Sequence, residues 1–203
     1  MTESSVAAGG FVCRKGEPIG HWFGVIEGLV KVSSVSTVGK PVTFIGVPPG
    51  GWFGEGSMLK DEPRRYDAIA LRDSRIARMP SATFRWLLDT SIPFNRYLLT
   101  QLNERLAQFI AIVEHERLLG VDARVARCIA QLFNPVLYPG RGPELKISQA
   151  EIGYLTGLSR QRANQALQSL EAGGLIRVGY GGITVLDLAG LARFGDDAPG
   201  TGA

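Results

Sequence analysis

The sequence has very few of the residues that build metal centres and disulfide networks. It contains two cysteines and two histidines among 203 residues. Cys13 and Cys128 stand far apart and form no Cys-x-x-Cys motif, so their spacing indicates neither a zinc site nor a disulfide framework. We therefore expect both to be buried thiols of a protein in a reducing compartment.

Long apolar runs and a strong excess of one charge are also missing. No stretch is apolar and long enough to span a bilayer, and residues 1–10 lack the basic start and apolar core of a secretory signal. These features predict a cytoplasmic protein without a membrane partner. The net charge of +3 is too small to indicate a nucleic-acid partner, so evidence for one has to be local.

Short apolar runs alternate with turn residues from residue 11 to about residue 80. The runs cover residues 22–26, 29–32 and 42–47, and glycine- and proline-containing breakers stand at 39–41 and 48–51. Short strands separated by turns predict an antiparallel β-roll of the jelly-roll type. We assign residues 1–90 to this domain.

The apolar spacing changes in residues 91–120. Apolar side chains recur there every three or four residues, at Leu99, Leu102, Leu106, Phe109 and Val113. Since no glycine or proline follows Leu99 until Gly120, the spacing predicts a long helix with a heptad seam. We expect this seam to form a homodimer, although an amphipathic stripe can also pack on its own domain.

Two helices separated by a glycine are predicted next. Ser148 and Glu151 have the spacing of a capping box, so a helix is expected to begin at this point. Gly157 interrupts it, and Ser159 is placed to cap a second helix over residues 160–171. Helix, turn and helix in this order are typical of a helix-turn-helix.

A hairpin follows the second helix. Apolar runs at 175–178 and 183–186 flank a glycine-rich turn, which is typical of a β-hairpin and would form a wing. We assign residues 121–195 to a winged helix-turn-helix domain. Residues 196–203, rich in glycine, aspartate and proline, are expected to be a disordered tail.

The second helix carries side chains that can read DNA bases. Arginine can bind guanine through two hydrogen bonds, and asparagine or glutamine can bind adenine in the same way. A solvated helix face would usually mix acids with its arginines, but no acid stands between Ser159 and Leu170. The predicted base-reading residues are Arg160, Gln161, Arg162, Asn164 and Gln165.

The longest recognisable motif covers residues 147–161. An acidic residue, isoleucine and glycine lie on its first helix, followed by a glycine turn and a Ser-Arg pair, and residues 167–171 and 174–176 extend the match. In these motifs the chain resembles the Crp/Fnr family of transcription regulators, over nearly its whole length. The resemblance implies an α+β protein with an N-terminal β-roll like a cyclic-nucleotide-binding domain, a long dimerisation helix and a C-terminal winged helix-turn-helix.

The resemblance also implies a function and its residues. A homodimer would bind a pseudo-palindromic site on double-stranded DNA, with RNA polymerase as a further partner. Arg160, Gln161 and Gln165 would face the bases, and Gln149 and the wing would lie near phosphates. The remaining DNA-binding residues expected from the motif and the wing are Ser159 and Arg177.

The N-terminal half resembles the family's effector domain at Gly54, Glu55 and Arg64. In members that bind cyclic nucleotides, the matching glutamate and arginine hold a ribose hydroxyl and the cyclic phosphate, as suits a carboxylate and a guanidinium. Arg65 is adjacent, and we expect a small anionic effector near these four residues. An internal ion pair between Glu55 and Arg64 is the alternative.

The effector class can be narrowed from the residues present. Phe109 and Ile110 stand where members that bind cyclic AMP carry threonine and serine, and neither can form those hydrogen bonds. We therefore expect a cyclic nucleotide or another small anion as the effector, with cyclic AMP the less favoured candidate. An iron–sulfur cluster needs about four cysteines and haem needs a supported axial ligand, so neither is expected.

Two alternatives come from other functional classes. Jelly rolls also host cupin-like metal-dependent enzymes, but His21 and His115 are too far apart in the sequence to indicate a facial triad. We therefore expect no enzyme activity. The other alternative is a dimeric ligand sensor that acts through protein partners, which the base-reading residue types argue against.

Overall fold

The structure is a computed structural model that describes residues 1–36, 39, 41–140 and 142–196. Apart from Asp196, the predicted disordered tail lies outside these residues. The chain divides into two compact units. The first comprises Met1–Arg105 and Pro135–Gly140, and the second comprises Leu106–Asn134 and Arg141–Ala203.

Two four-stranded antiparallel sheets form the roll of the first unit. The strands are β1 (Thr2–Val6), β2 (Phe11–Cys13), β3 (His21–Glu27), β4 (Val30–Val35), β5 (Pro41–Val47), β6 (Trp52–Phe53), β7 (Asp67–Ala70) and β8 (Ser74–Pro80). Their orders are β1-β8-β3-β6 and β2-β7-β4-β5. Alternate residues face the core, as Ala68 and Ala70 do on β7, because strand side chains alternate between the two faces.

Aromatic rings close one end of the roll. Helix α1 (Glu55–Lys60) follows β6, and α2 (Ser81–Thr90) follows β8. Phe84 of α2 is fully buried and meets Trp22 of β3 edge-on, with ring centroids 5.3 Å apart. Burial of large aromatic side chains fixes α2 against the roll.

The long helix and the segment that packs beside it complete the first unit. Helix α3 (Ile92–Leu118) is 27 residues long and begins in the first unit. The chain returns to this unit at Pro135–Gly140, which we call the strap. Tyr138 of the strap is 1% exposed, and its hydroxyl donates to Gly46 O at 3.1 Å and accepts from Arg105 Nη1 of α3 at 2.8 Å.

The second unit contains the predicted helices and hairpin. Its elements are α4 (Val121–Gln131), β9 (Glu144–Leu145), α5 (Gln149–Thr156), α6 (Arg160–Ala172), β10 (Ile176–Gly179), β11 (Gly182–Val185) and α7 (Leu188–Arg193). The three strands form one sheet in the order β10-β11-β9. The predicted α+β fold class, with roll, long helix and helix-turn-helix, is confirmed.

The helix ends predicted from the sequence have the expected capping hydrogen bonds and backbone conformation. Both hydrogen bonds of the capping box between Ser148 and Glu151 are present at the start of α5. Gly157 ends that helix with a φ of +68°, a conformation that glycine adopts without strain. Ser159 Oγ then accepts from Arg162 N at 3.2 Å and caps α6.

Candidate DNA-binding and effector sites

Helix α6 presents a polar face because its apolar face is buried. Its buried residues are Ala163, Ala166, Leu167 and Leu170. Arg160, Gln161 and Gln165 are exposed on the remaining surface. The structure therefore brings three of the predicted base-reading side chains to one accessible side of the helix.

Asn164 and Gln149 are tied to each other. Gln149 Nε2, at the first residue of α5, donates to Asn164 Oδ1 at 2.7 Å. The contact joins the two helices close to the exposed face of α6. Asn164 was predicted to bind DNA from its residue type and Gln149 from the family resemblance, and sequence reasoning missed their mutual hydrogen bond.

Arg162 is turned toward α4. Its Nη2 atom donates to Asp122 Oδ1 at 2.7 Å, and both side chains are about a third exposed. Asp122 lies in the first turn of α4. Sequence reasoning missed the role of Asp122. An acidic residue near a helix N-terminus is favoured by the helix dipole alone, so its position did not indicate a partner.

A groove lies between the start of α5, the start of α6 and the turn of the wing. Its volume is about 350 Å³, and its lining includes Ser148, Gln149, Arg160, Gly179, Gly181 and Gly182. Among the described residues that line it, Arg160 is the only charged one. Arg177 is exposed on β10 and does not belong to the lining.

Arg64 is enclosed by the roll. It is 3% exposed, and its Nη1 donates to Gly54 O at 3.1 Å, while Nη2 donates to His21 O. Its guanidinium also lies over the ring of Phe23, 5.0 Å from the centroid. A side chain at Gly54 would place its Cβ 2.4 Å from Arg64 Nη1, which explains a glycine at this point.

Glu55 lies next to Gly54 but forms no ion pair with Arg64 in the described part of the chain. Its Oε2 atom is buried and has no hydrogen-bond partner among the described residues. The alternative of an internal Glu55–Arg64 ion pair is therefore not what these residues form. A buried carboxylate oxygen without a donor is costly, so this position can accept a hydrogen bond from a ligand.

The side chain of Arg65 does not share the buried environment of Arg64. Arg65 is exposed and forms two hydrogen bonds with Glu62, at 2.7 and 2.8 Å. Arg64 is therefore buried in the roll, whereas Arg65 faces solvent. A role for Arg65 in effector binding stays a prediction, and its counter-charge here is Glu62.

Two ionisable groups outside the predicted effector set, Tyr66 and Cys13, interact electrostatically with the site. Burial raises the pKa of Tyr66 well above its usual range, and the Glu55 carboxylate adds to this effect. Burial also raises the pKa of the Cys13 thiol to about 11, against an opposing influence of Arg64. Both groups are therefore neutral near pH 7, so the Arg64 guanidinium faces no thiolate or phenolate.

The predicted seam of α3 is largely uncovered. Leu99, Leu106, Phe109 and Val113 are exposed, and Leu102 is half-buried. Leu99 and Leu106 are 66% and 59% exposed, so the stripe does not pack on its own unit as the alternative required. Solvated leucines in a row on a long helix favour a further partner surface.

No group of three or more histidine, cysteine, aspartate or glutamate side chains is arranged to hold a metal ion in residues 1–36, 39, 41–140 and 142–196. Within the same residues, no helix has the length and apolarity needed to cross a membrane.

Comparison with known proteins identifies both units. Residues 3–91 match the cyclic nucleotide-binding domain, and residues 123–194 match the Crp-like helix-turn-helix domain. The chain is 30% identical to the transcriptional regulator SdrP of Thermus thermophilus, over 85% of this chain and 82% of that protein. The chain belongs to the CRP/FNR family of transcriptional regulators.

Other CRP/FNR regulators are also similar to this chain over most of its length. The chain is 27% identical to the cAMP-activated global transcriptional regulator CRP of Haemophilus influenzae, over 79% of this chain and 73% of that protein. A crystal structure of a CRP/FNR regulator from T. thermophilus matches with a TM-score of 0.64 and 27% identity, covering 95% of this chain and 97% of that one. The family predicted from the sequence is thus confirmed, and with it the function of a DNA-binding transcription regulator.

Proposed function

We propose that this CRP/FNR regulator acts as a homodimer that binds a pseudo-palindromic DNA site, under the control of a small anionic effector held in the roll. The observation that carries the proposal is the exposed polar face of α6, which is free of acids from Arg160 to Leu170. Such a face suits the base edges of a major groove.

The exposed stripe of α3 supports the homodimer. Two copies that pair through Leu99, Leu102, Leu106, Phe109 and Val113 would be related by a two-fold axis. Each copy then offers one α6 to one half-site. Half-site centres are expected about 34–36 Å apart, one turn of the duplex.

The roles of the predicted DNA-binding residues can be refined from their contacts. We propose that Arg160, Gln161 and Gln165 contact bases, and that Arg177 contacts the phosphate backbone. Gln149, Ser159, Arg162 and Asn164 already have partners in the second unit. These four residues would support DNA binding chiefly by fixing the position of α6.

The effector site is proposed at Gly54, Glu55 and Arg64. A ligand hydroxyl could donate to the buried Glu55 Oε2, which has no donor among the described residues. The Arg64 guanidinium lies beside the same loop and favours an anion. A cyclic nucleotide has both groups, and the H. influenzae relative is named as cAMP-activated, but Phe109 and Ile110 favour an effector other than cyclic AMP.

We further propose the domain organisation and the cellular role that accompany this function. Residues 1–90 sense the effector, 91–120 form the dimer and 121–195 bind DNA. The protein would work in the cytoplasm, contact RNA polymerase and catalyse no reaction. Metal analysis of the purified protein tests the enzyme alternative, since a cupin-like enzyme would retain bound metal.

Selection of bound sequences from a random duplex pool tests the main proposal. We expect enrichment of a symmetric motif, and recovery of none, with or without candidate effectors, would overturn it. For the effector, melting temperatures are measured with cyclic nucleotides and a panel of anionic metabolites, because a ligand of the native state raises the melting temperature.

The double variant Arg64→Ala with Arg65→Ala should remove that stabilisation. Arg65→Ala alone serves as the control, because Arg65 is exposed and paired with Glu62. An effector that binds the double variant with unchanged affinity would place the site elsewhere in the chain.

A further inference from the structure

A second arginine faces the same aromatic ring as Arg64. Arg78 of β8 stands directly opposite Phe23 of β3. Residues that are directly opposite on neighbouring strands share one face of the sheet. On the other face of this sheet, Trp22 and Met79 pack against α2. The side chain of Arg78 is therefore on the face that is turned toward the second sheet of the roll.

Both guanidinium groups lie over the ring of Phe23. The guanidinium carbon is 5.0 Å from the ring centroid for Arg64 and 5.6 Å for Arg78. The ring of His21 has its centroid 6.3 Å from that of Phe23. Burial lowers the pKa of His21, and the charges of Arg78 and Arg64 lower it further. The two positive charges therefore act at the same place in the roll.

Neither guanidinium has an acidic partner within the part of the chain that the structure describes. There, Nε of Arg64 and Nε of Arg78 are both buried without a hydrogen-bond partner. Arg75 of the same strand differs, because it pairs with Glu3 and Glu27. The ring attracts a cation but carries no net charge, so it does not compensate the two charges. A buried charge without a counter-charge is costly, which favours an anion at this point.

The carboxylate of Glu55 does not remove the excess of positive charge. Burial raises the pKa of Tyr66, and Glu55 adds to this rise while Arg64 and Arg105 oppose it. Together with Arg78, three arginines therefore accompany one acid near these side chains. The difference is two positive charges, which a ligand with two negative charges would balance.

We propose that the effector is a phosphate monoester with a free hydroxyl, and that Arg78 binds its phosphate together with Arg64. The inference rests on the proposed effector site at Gly54, Glu55 and Arg64, and it adds one residue and the charge of the ligand. A phosphate monoester carries about two negative charges at pH 7, whereas a cyclic phosphodiester carries a single one. The ligand hydroxyl donates to Glu55 Oε2, which is buried and has no donor among the described residues.

The geometry favours one doubly charged group over two separate ones. Arg64 and Arg78 contact the same ring, so their charges suit two negative charges on one phosphate. The two ends of a dicarboxylate would be farther apart. Arginine also matches the oxygens of a phosphate with two parallel hydrogen bonds.

Calorimetric titration with matched ligands tests the required charge. AMP and cyclic AMP share their base and ribose but differ in the second negative charge, and glycerol 3-phosphate and ribose 5-phosphate are monoesters without a base. We expect at least one of the three monoesters to bind about tenfold more tightly than cyclic AMP, or better. The inference is wrong if no monoester binds, or if cyclic AMP or the dicarboxylate succinate binds as tightly as the best monoester.

The variant Arg78→Met tests the second arginine. Methionine keeps an unbranched side chain over Phe23 and removes the charge. Affinity for the best monoester should fall about tenfold or more, and the preference over cyclic AMP should disappear. Arg78→Lys keeps the charge and should bind more tightly than Arg78→Met. The control is Arg75→Met, which removes a charge from an exposed position of the same strand and should bind like the wild type.

Two further measurements distinguish a binding role of Arg78 from a structural one. Loss of an uncompensated charge should raise the melting temperature of the ligand-free Arg78→Met protein. By phosphorus NMR, the second pKa of the bound phosphate should lie below its usual value of about 6, because two arginines favour the dianion. Arg78→Met should move this pKa back toward the usual value. A ligand-free variant that melts well below the wild type would instead assign Arg78 to the stability of the roll.

The outcomes separate this inference from the proposed function. If an effector is lost with the double variant Arg64→Ala and Arg65→Ala but binds Arg78→Met normally, the proposed effector site stands and the role of Arg78 is wrong. If the wild type selects no symmetric DNA motif, the proposed function itself fails, whatever binds in the roll.

Discussion

Arg162 and Asp122 form an ion pair in which Nη2 of the arginine lies 2.7 Å from Oδ1 of the aspartate. The pair connects the first turn of α6 to the first turn of α4. Asp122 is favoured at a helix N-terminus, where the backbone dipole stabilises a negative charge. The positive charge of Arg162 is therefore compensated within the protein before DNA is bound.

The Asp122→Asn variant should bind DNA more tightly and less selectively. Without the aspartate charge, Arg162 can neutralise a phosphate, which adds about one unit to the salt slope for each subunit. Titrations of operator and random duplex at several salt concentrations measure both effects. Glu116→Gln is the control, since it removes the same charge from the 3.9 Å pair with Arg124. Equal DNA affinities and salt slopes of the two variants would mean that Asp122 has no specific role.

A charge in the seam of α3 should dissociate the dimer. Leu106→Glu places a carboxylate at a position that two copies would bury, and an unpaired buried charge is costly. Sedimentation velocity is expected to show a folded monomer. Ala107→Glu introduces the same charge at an exposed position about 100° around the helix and should remain dimeric. A dimeric Leu106→Glu protein would rule out this seam as the interface.

Arg160→Ala and Arg177→Ala should impair DNA binding in different ways, the first by lowering sequence preference and the second by lowering affinity for all sequences. Loss of a guanine contact by Arg160 should cost about 1–3 kcal/mol and relax the preference at one base pair per half-site. Loss of a phosphate contact by Arg177 should weaken binding to all sequences alike and flatten the salt dependence. Competition titrations with operator and random DNA distinguish them. A uniform loss for Arg160→Ala would instead indicate that Arg160 contacts a phosphate.

The Tyr138→Phe variant should destabilise the first unit by about 1–3 kcal/mol. The ring stays in place, but Arg105 Nη1 and Gly46 O each lose a buried hydrogen-bond partner. Urea unfolding measures the free energy difference. Tyr180→Phe removes the same hydroxyl from a fully exposed ring and should leave the stability unchanged. Equal stability of Tyr138→Phe and the wild type would mean that water replaces the lost hydroxyl.

Features with a local cause could be predicted from the sequence. The capping box of α5, the Ser159 cap of α6 and the period of α3 each depend on residues within a few positions of one another. The exposure of Leu99 and Leu106 on α3 agrees with the predicted seam. Local signals of this kind are present in the order of the residues.

Features that join distant residues could not be predicted. Arg162 and Asp122 are 40 positions apart, and Arg105 and Tyr138 are 33 apart, so only the fold brings each pair together. The different surroundings of the neighbouring arginines could not be predicted either. Arg64 is buried and donates to Gly54 O, whereas Arg65 is exposed and paired with Glu62, and only the fold sets this difference.

The strap makes the first unit discontinuous along the chain, which affects the order in which its parts are synthesised. On the ribosome, residues 1–105 are synthesised before Tyr138, so any roll that forms at that stage lacks the hydroxyl that binds Arg105. The whole of α4 therefore has to be synthesised before the Tyr138 ring can complete the roll. A recombinant fragment that stops after α3 would lack this ring, whereas one that continues through Gly140 would contain it.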